Sequence, residues 1–193
     1  LHGLDSGKEE YQQFSRKLQS MGYGFLAMDL RGHGESNKTT AGTKISFRNF
    51  KSQRDWELLI FDLEAVIKYL TATRKIAVNK IGLIGASIGA NTCLLAAVRN
   101  KQIRGLVLLS PGLNYAGLTT ENMIEFYGKR KLFIAASPGD QYAYSSSSVL
   151  TDLAKRFRIP VTFAAGTGPA HGVQMFDGTV DTKLLAWIHQ NFR

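Results

Sequence analysis

Apolar residues along the chain fall into two kinds of segment, and the two kinds alternate to its end. Tyr11, Phe14, Leu18 and Met21 recur at helical spacing between the polar Ser6-Gly7-Lys8 and Gly22, which predicts an amphipathic helix over 8–21. Trp56, Leu59, Ile60, Leu63, Ile67 and Leu70 mark one face of a long helix, and Val149, Leu150, Leu153 and Phe157, then Val180, Leu184, Leu185 and Ile188, mark two more. Between the helices, residues 25–30, 80–84, 103–110, 131–137 and 161–165 are short apolar runs, the pattern of buried parallel strands. Residues 31–53 are rich in Gly, Ser and Thr and read as loop, and Ser145-Ser146-Ser147-Ser148 is expected to cap the helix that follows.

Such alternation predicts an α/β fold: a doubly wound, mostly parallel sheet with helices on both faces, whose ligands bind at the carboxyl ends of the strands. No internal repeat or linker divides the chain, so residues 1–193 are expected to form a single domain. No apolar stretch reaches the ~18 residues that span a bilayer. The formal charge of +9 favours acidic partners, but the basic residues come in twos and threes (Arg74-Lys75, Lys129-Arg130-Lys131, Lys155-Arg156), where helix ends and solvated faces carry them. No recognition motif accompanies that charge, so nucleic-acid binding is not expected.

The chemistry starts at Gly85-Ala86-Ser87-Ile88-Gly89, a G-x-S-x-G pattern between a predicted strand and a predicted helix. A serine on a sharp strand-to-helix turn is exposed for attack, and side chains at 85 and 89 would collide with the neighbouring backbone. Alone, the pattern is also a glycine-bounded turn. A serine hydroxyl needs a base to take its proton and a carboxylate to orient that base. Downstream of Ser87 lie His171, in the loop Gly166-Thr167-Gly168-Pro169-Ala170-His171-Gly172 just past a strand, and His189, near the end of the last helix. The loop histidine is the expected base. Asp140 follows the strand at 131–137 through the turn Ser137-Pro138-Gly139 and is the expected acid; Asp152, Glu121 and Glu125 fall on helical faces, and a turn-forming or capping role is the alternative for Asp140. An oxyanion needs donors, expected from the backbone N–H groups of Ile88, directly after the serine, and of Leu4 in His2-Gly3-Leu4, with His2 structural.

Five motifs in this order resemble the α/β-hydrolases: Leu1-His2-Gly3-Leu4 is similar to their HG oxyanion turn, Asp29-Leu30-Arg31-Gly32-His33-Gly34-Glu35-Ser36 to their D-x-R-G-H-G-x-S loop, 85–89 to their elbow, and Ala136-Ser137-Pro138-Gly139-Asp140 and Ala170-His171-Gly172 to their acid and base loops. The resemblance implies a structural role for His33. It also implies that the strand feeding the HG turn lies in mid-sheet, between the segments at 24–30 and 80–87; only its last residues are in this chain, which also has no initiator methionine, so an amino-terminally incomplete domain is expected. Where many relatives insert a large helical cap, about twenty residues join Ser110 to Lys131, which implies an open site with Leu113, Tyr115 and Met123 either as pocket walls or as core.

The function these motifs imply is a serine esterase cleaving carboxylic esters of small to medium acyl groups through an acyl-enzyme, with no metal or organic cofactor and a small-molecule substrate as its partner. A peptidase, amidase or thioesterase, and a non-catalytic binding protein of the same fold, are the alternatives. The single Cys93 forbids an internal disulfide, which favours the cytoplasm without excluding export, and the oligomeric state is not encoded in these patterns.

Overall fold

The computed structural model describes residues 1–192. Four parallel strands, β1 (Gly82–Ala86), β2 (Gly105–Leu109), β5 (Lys131–Ala136) and β6 (Val161–Ala165), form a sheet in the order β1-β2-β5-β6. Their register aligns Ala86 with Leu109, Leu109 with Ala135, and Ala136 with Ala165. Ser87, Ser110, Ser137 and Gly166, the residues that follow these strands, therefore leave the sheet along one edge.

Side chains alternate across the sheet, as strand geometry dictates. Leu83, Leu106, Leu108, Leu132 and Ile134 face the core shared with helices α2 (Gln53–Ala72), α3 (Ile88–Arg99) and α4 (Gln141–Arg156). On the other face, Ala86, Val107, Leu109, Phe133 and Ala135 pack with Tyr11 and with helices α1 (Gln12–Ser20) and α5 (Val180–Asn191). Helices cover both faces and every pairing in this sheet is parallel, which is the expected doubly wound α/β arrangement.

Two expectations are corrected. The apolar run at 25–30 forms no ladder strand. A strand needs a hydrogen-bonded neighbour, and the described backbone between this run and β1 is Leu1-His2: Leu1 N donates to Ile84 O at 2.5 Å, Ala86 N–H donates to Leu1 O at 2.9 Å, and Leu30 N–H donates to His2 Nε2 at 2.8 Å. Secondly, Ser145 to Ser148 do not cap a helix; they lie inside α4, which starts at Gln141, and Ser146 and Ser147 are buried in its packed face.

A feature that periodicity did not announce is the hairpin of β3 (Asn114–Tyr115) and β4 (Leu118–Thr119), in the connection between β2 and β5. Its turn residues Ala116 and Gly117 have φ of 52° and 87°, the left-handed pair a tight antiparallel turn requires. The 31–53 segment is loop as expected, interrupted by a 3₁₀ turn at Phe47–Asn49. No helix among the described residues is long and apolar enough to cross a membrane.

Candidate active site

Ser87 sits at the turn from β1 into α3 with φ 54° and ψ −124°, a conformation that L-residues adopt at a cost of roughly 1–3 kcal/mol. Its N–H donates to Leu109 O at 2.8 Å, and Ala90 N–H returns to Ser87 O at 2.9 Å, so the strain is held from both sides. The glycines have the expected steric cause. A Cβ on Gly85 would lie 2.2 Å from Gly89 O, and one on Gly89 would lie 2.5 Å from His2 O.

His171 and Asp140 meet across 31 residues of sequence: His171 Nδ1 lies 2.5 Å from Asp140 Oδ2, with the carboxylate largely shielded from solvent. Asp140 does occupy the position before α4, but its side chain makes no helix cap, so the capping alternative is not realised. The loops that carry the two residues are joined directly, Gly139 N–H donating to Gly168 O at 2.9 Å. The backbone N–H of His171 donates to Gln174 Oε1 at 3.1 Å, and Gly172 N–H donates to the buried Ser110 Oγ at 2.9 Å. A Cβ on Gly172 would touch Ala86 Cβ at 3.1 Å, so the base loop lies against the residue preceding Ser87. Among the described residues no hydrogen bond within 3.5 Å joins Ser87 Oγ to His171; unliganded sites often hold such pairs loosely until substrate arrives.

On the opposite flank, Gly3 packs so closely that its Cβ would be 3.4 Å from Ser87 Cβ. His2 fixes this loop. Its Nε2 accepts from Leu30 N–H, so the ring proton resides on Nδ1 and is donated to Gly3 O at 2.7 Å. Burial, foremost, pushes the His2 pKa down to about 4, which keeps that tautomer neutral. In a planar trans peptide the C=O and the next N–H point in opposite directions, so anchoring Gly3 O aims Leu4 N–H away from the His2 ring. Among the described residues neither Leu4 N–H nor Ile88 N–H donates to a protein acceptor. His33 stacks on Phe47 at 4.0 Å and meets His2 edge-on at 5.0 Å, a packing position.

Three side chains of this region were not assigned these places by pattern. Glu10 lies near Gly3 and His171, accepts from Ser6 Oγ at 2.5 Å through Oε2, and has a buried Oε1 with no partner; burial, ahead of the Ser6 bond, raises its pKa. Asn91, one turn beyond Ser87, is fully buried and spans to the β3–β4 hairpin, donating to Gly112 O at 3.0 Å and Leu118 O at 2.6 Å and accepting from Gly112 N–H at 3.2 Å. Tyr115 interacts with the Ser87 side chain, whereas Leu113 packs into the core beside α3. An asparagine amid the apolar positions of 91–98 was the one readable signal.

Residues 1–166 match a family model described as serine aminopeptidase, S33. YtaP of Bacillus subtilis (strain 168), which carries a provisional hydrolase name, is 24% identical over 143 residues, or 74% of this chain. Those residues span 46% of YtaP, less than half its length. Among solved structures, the Pyrococcus furiosus esterase Pf2001 superposes with a TM-score of 0.77 in one crystal form at 19% identity, covering 100% of this chain and 80% of that one. A Bacillus cereus carboxylesterase gives 0.71 at 19% identity over 100% and 86%. At such identities these likenesses speak for the fold.

Proposed function

The chain belongs to the serine aminopeptidase, S33, family of α/β-hydrolases, and from that premise we propose that it is a serine hydrolase cleaving carboxylic esters of small to medium acyl groups, with Ser87 as nucleophile, His171 as base and Asp140 as its orienting acid. The observation that carries the proposal is the 2.5 Å contact of His171 Nδ1 with Asp140 in a loop lying against the Ser87 turn.

Nδ1 directed at the carboxylate leaves Nε2 for the serine proton. Ser87 Oγ then attacks the carbonyl carbon, and the oxyanion forms toward the unengaged amides of Leu4 and Ile88, which are placed beforehand and need no rearrangement. Collapse releases the alcohol with the proton from His171, and water repeats the sequence to release the acid. The small β3–β4 hairpin in place of a large cap favours compact acyl groups that need no long channel. The names of the esterase structures with the same fold add support.

A second reading has its own observation. Glu10, whose buried Oε1 has no hydrogen-bond partner among the described residues and lies near Gly3 and His171, would in its carboxylate form suit a substrate ammonium, as an aminopeptidase would require. The test pairs a fluorophosphonate probe with two substrates. Labelling of the folded protein that is lost in Ser87→Ala, together with turnover of p-nitrophenyl butyrate, is expected; labelling with turnover of aminoacyl p-nitroanilides alone transfers the assignment to the peptidase, and no labelling at Ser87 refutes both.

A further inference from the structure

The β3–β4 hairpin is held with more hydrogen bonds than a surface loop of its size needs. Asn91 bonds Gly112 through both its N–H and its C=O and also takes Leu118 O, while Thr120 Oγ1 donates to Gly112 O at 2.8 Å. From α4, Tyr142 Oη accepts from Asn114 N–H at 3.0 Å and donates to Asn114 O at 2.9 Å; inside the turn, Gly117 N–H donates to Asn114 Oδ1 at 2.8 Å. These bonds fix the backbone on both sides of Tyr115, at Gly112 and Asn114 before it and at Gly117 and Leu118 after it. The Tyr115 ring meets Tyr142 edge-on at 5.5 Å and lies across Gly112, where any Cβ would come within 2.7 Å of it.

A ring held this firmly could be only a wall. The hydroxyl argues otherwise. Tyr115 Oη lies beside the Ser87 side chain with no hydrogen bond within 3.5 Å between them among the described residues, and its hydrogen bond to Ser110 O, at 3.4 Å, is too long to satisfy the donor. Burial, first among the causes, pushes the phenol up to about 12, so at neutral pH it keeps its proton and has one to donate. Its side of Ser87 is also defined. Ser110 follows β2 and binds both Tyr115 Oη, through its carbonyl, and Gly172 N–H, through its hydroxyl. Tyr115 thus approaches Ser87 from the β2 flank together with the His171 loop, whereas Gly3 and Leu4 approach from the Leu1 flank. The oxyanion belongs to the Leu4 flank, and the departing group to the flank of the base that protonates it.

We propose that the Tyr115 hydroxyl is a catalytic hydrogen-bond donor to the leaving-group oxygen, fixed at the site by the hairpin. The proposal rests on the esterase reading. When the tetrahedral intermediate collapses, the bond from carbon to the departing oxygen breaks, its electron pair passes to that oxygen, and the oxygen takes the proton held by His171. Tyr115 keeps its own proton and stabilises the charge that develops before that transfer is complete. The contribution is large for an alkoxide and small for p-nitrophenolate, which leaves readily without help.

The experiment compares kcat/KM, which reports acylation, for ethyl butyrate and p-nitrophenyl butyrate in wild type and Tyr115→Phe. The expected result is a loss on the ethyl ester about tenfold greater than on the p-nitrophenyl ester. Equal losses on both esters, with the fluorophosphonate labelling rate falling in step, make Tyr115 a structural support and overturn the proposal. So does no loss on either, which makes it a wall. If Tyr115→Phe does not fold, Tyr142→Phe, which loosens the hairpin from outside the site, must produce the same ethyl-selective loss in weaker form. A wild type inactive on both esters and unlabelled at Ser87 instead removes the esterase reading itself.

Discussion

Replacing Asp29 with Asn should remove a pH-dependent part of the stability whose size the structure supplies. Asp29 ends the run at 25–30 and is 4% exposed. Burial works against its charge, but the backbone N–H groups of Lys8 at 2.9 Å and Glu35 at 3.0 Å and the Lys8 ammonium at 3.0 Å outweigh it and hold the carboxyl down at about 2. An unfolded aspartate titrates at about 3.9, and the difference corresponds to about 2.6 kcal/mol. Because the folded value is the lower one, that stability is fully present above about pH 4 and is lost as the pH falls through about 2. Urea denaturation from pH 7 down to pH 2 measures it. Asp29→Asn should be about 2.6 kcal/mol less stable than wild type at pH 7, and the two proteins should converge as the acid limb is reached. A gap that stays constant across the whole range would refute the reasoning, since the deficit would then come from shape or packing and not from the charge.

Asp140→Asn leaves the position filled but takes the charge from His171 Nδ1, and kcat on p-nitrophenyl butyrate should fall on the order of 10³- to 10⁴-fold in steady-state assays; a loss below tenfold would show that the 2.5 Å contact is not catalytic. Lys17 donates to Asp181 at 2.5 Å, and Asp181 is 1% exposed, so Lys17→Met leaves a buried carboxylate with only the Gly178 N–H at 2.8 Å and should cost roughly 1–3 kcal/mol in urea denaturation at pH 7. Adding Asp181→Asn should recover part of that loss, and a single variant as stable as wild type would contradict it.

Much of this architecture is legible in the sequence because it is written in periodicity and in local turn chemistry. The runs that become β1, β2, β5 and β6 are apolar at nearly every position, and β2 and β5, inside the sheet, are buried almost throughout, whereas the edge strand β6 is largely exposed. Ser87, Asp140 and His171 each follow such a run, so the rule that chemistry gathers at carboxyl ends of strands places them on one edge. What periodicity misses is anything decided by partners. The run at 25–30 has strand composition, but pairing is not a local property. Ser146 and Ser147 are small enough to be buried in α4 and so carry no apolar signal. The β3–β4 hairpin has two-residue strands, too short for alternation to register, and depends on Asn91 and Tyr142 from two distant helices. Tyr115 was therefore visible as a residue and invisible as a donor.

The hydrogen bond from Gly139 to Gly168 makes Asp140 and His171 one mechanical part. A displacement that withdrew the imidazole would carry the carboxylate with it, leaving their mutual contact intact while opening the gap to Ser87. On the proposed assignment, such a displacement would open a single seam, between the paired loops and the strained serine turn, and a ligand wedged there would part Ser87 from His171 without touching the Asp140–His171 contact.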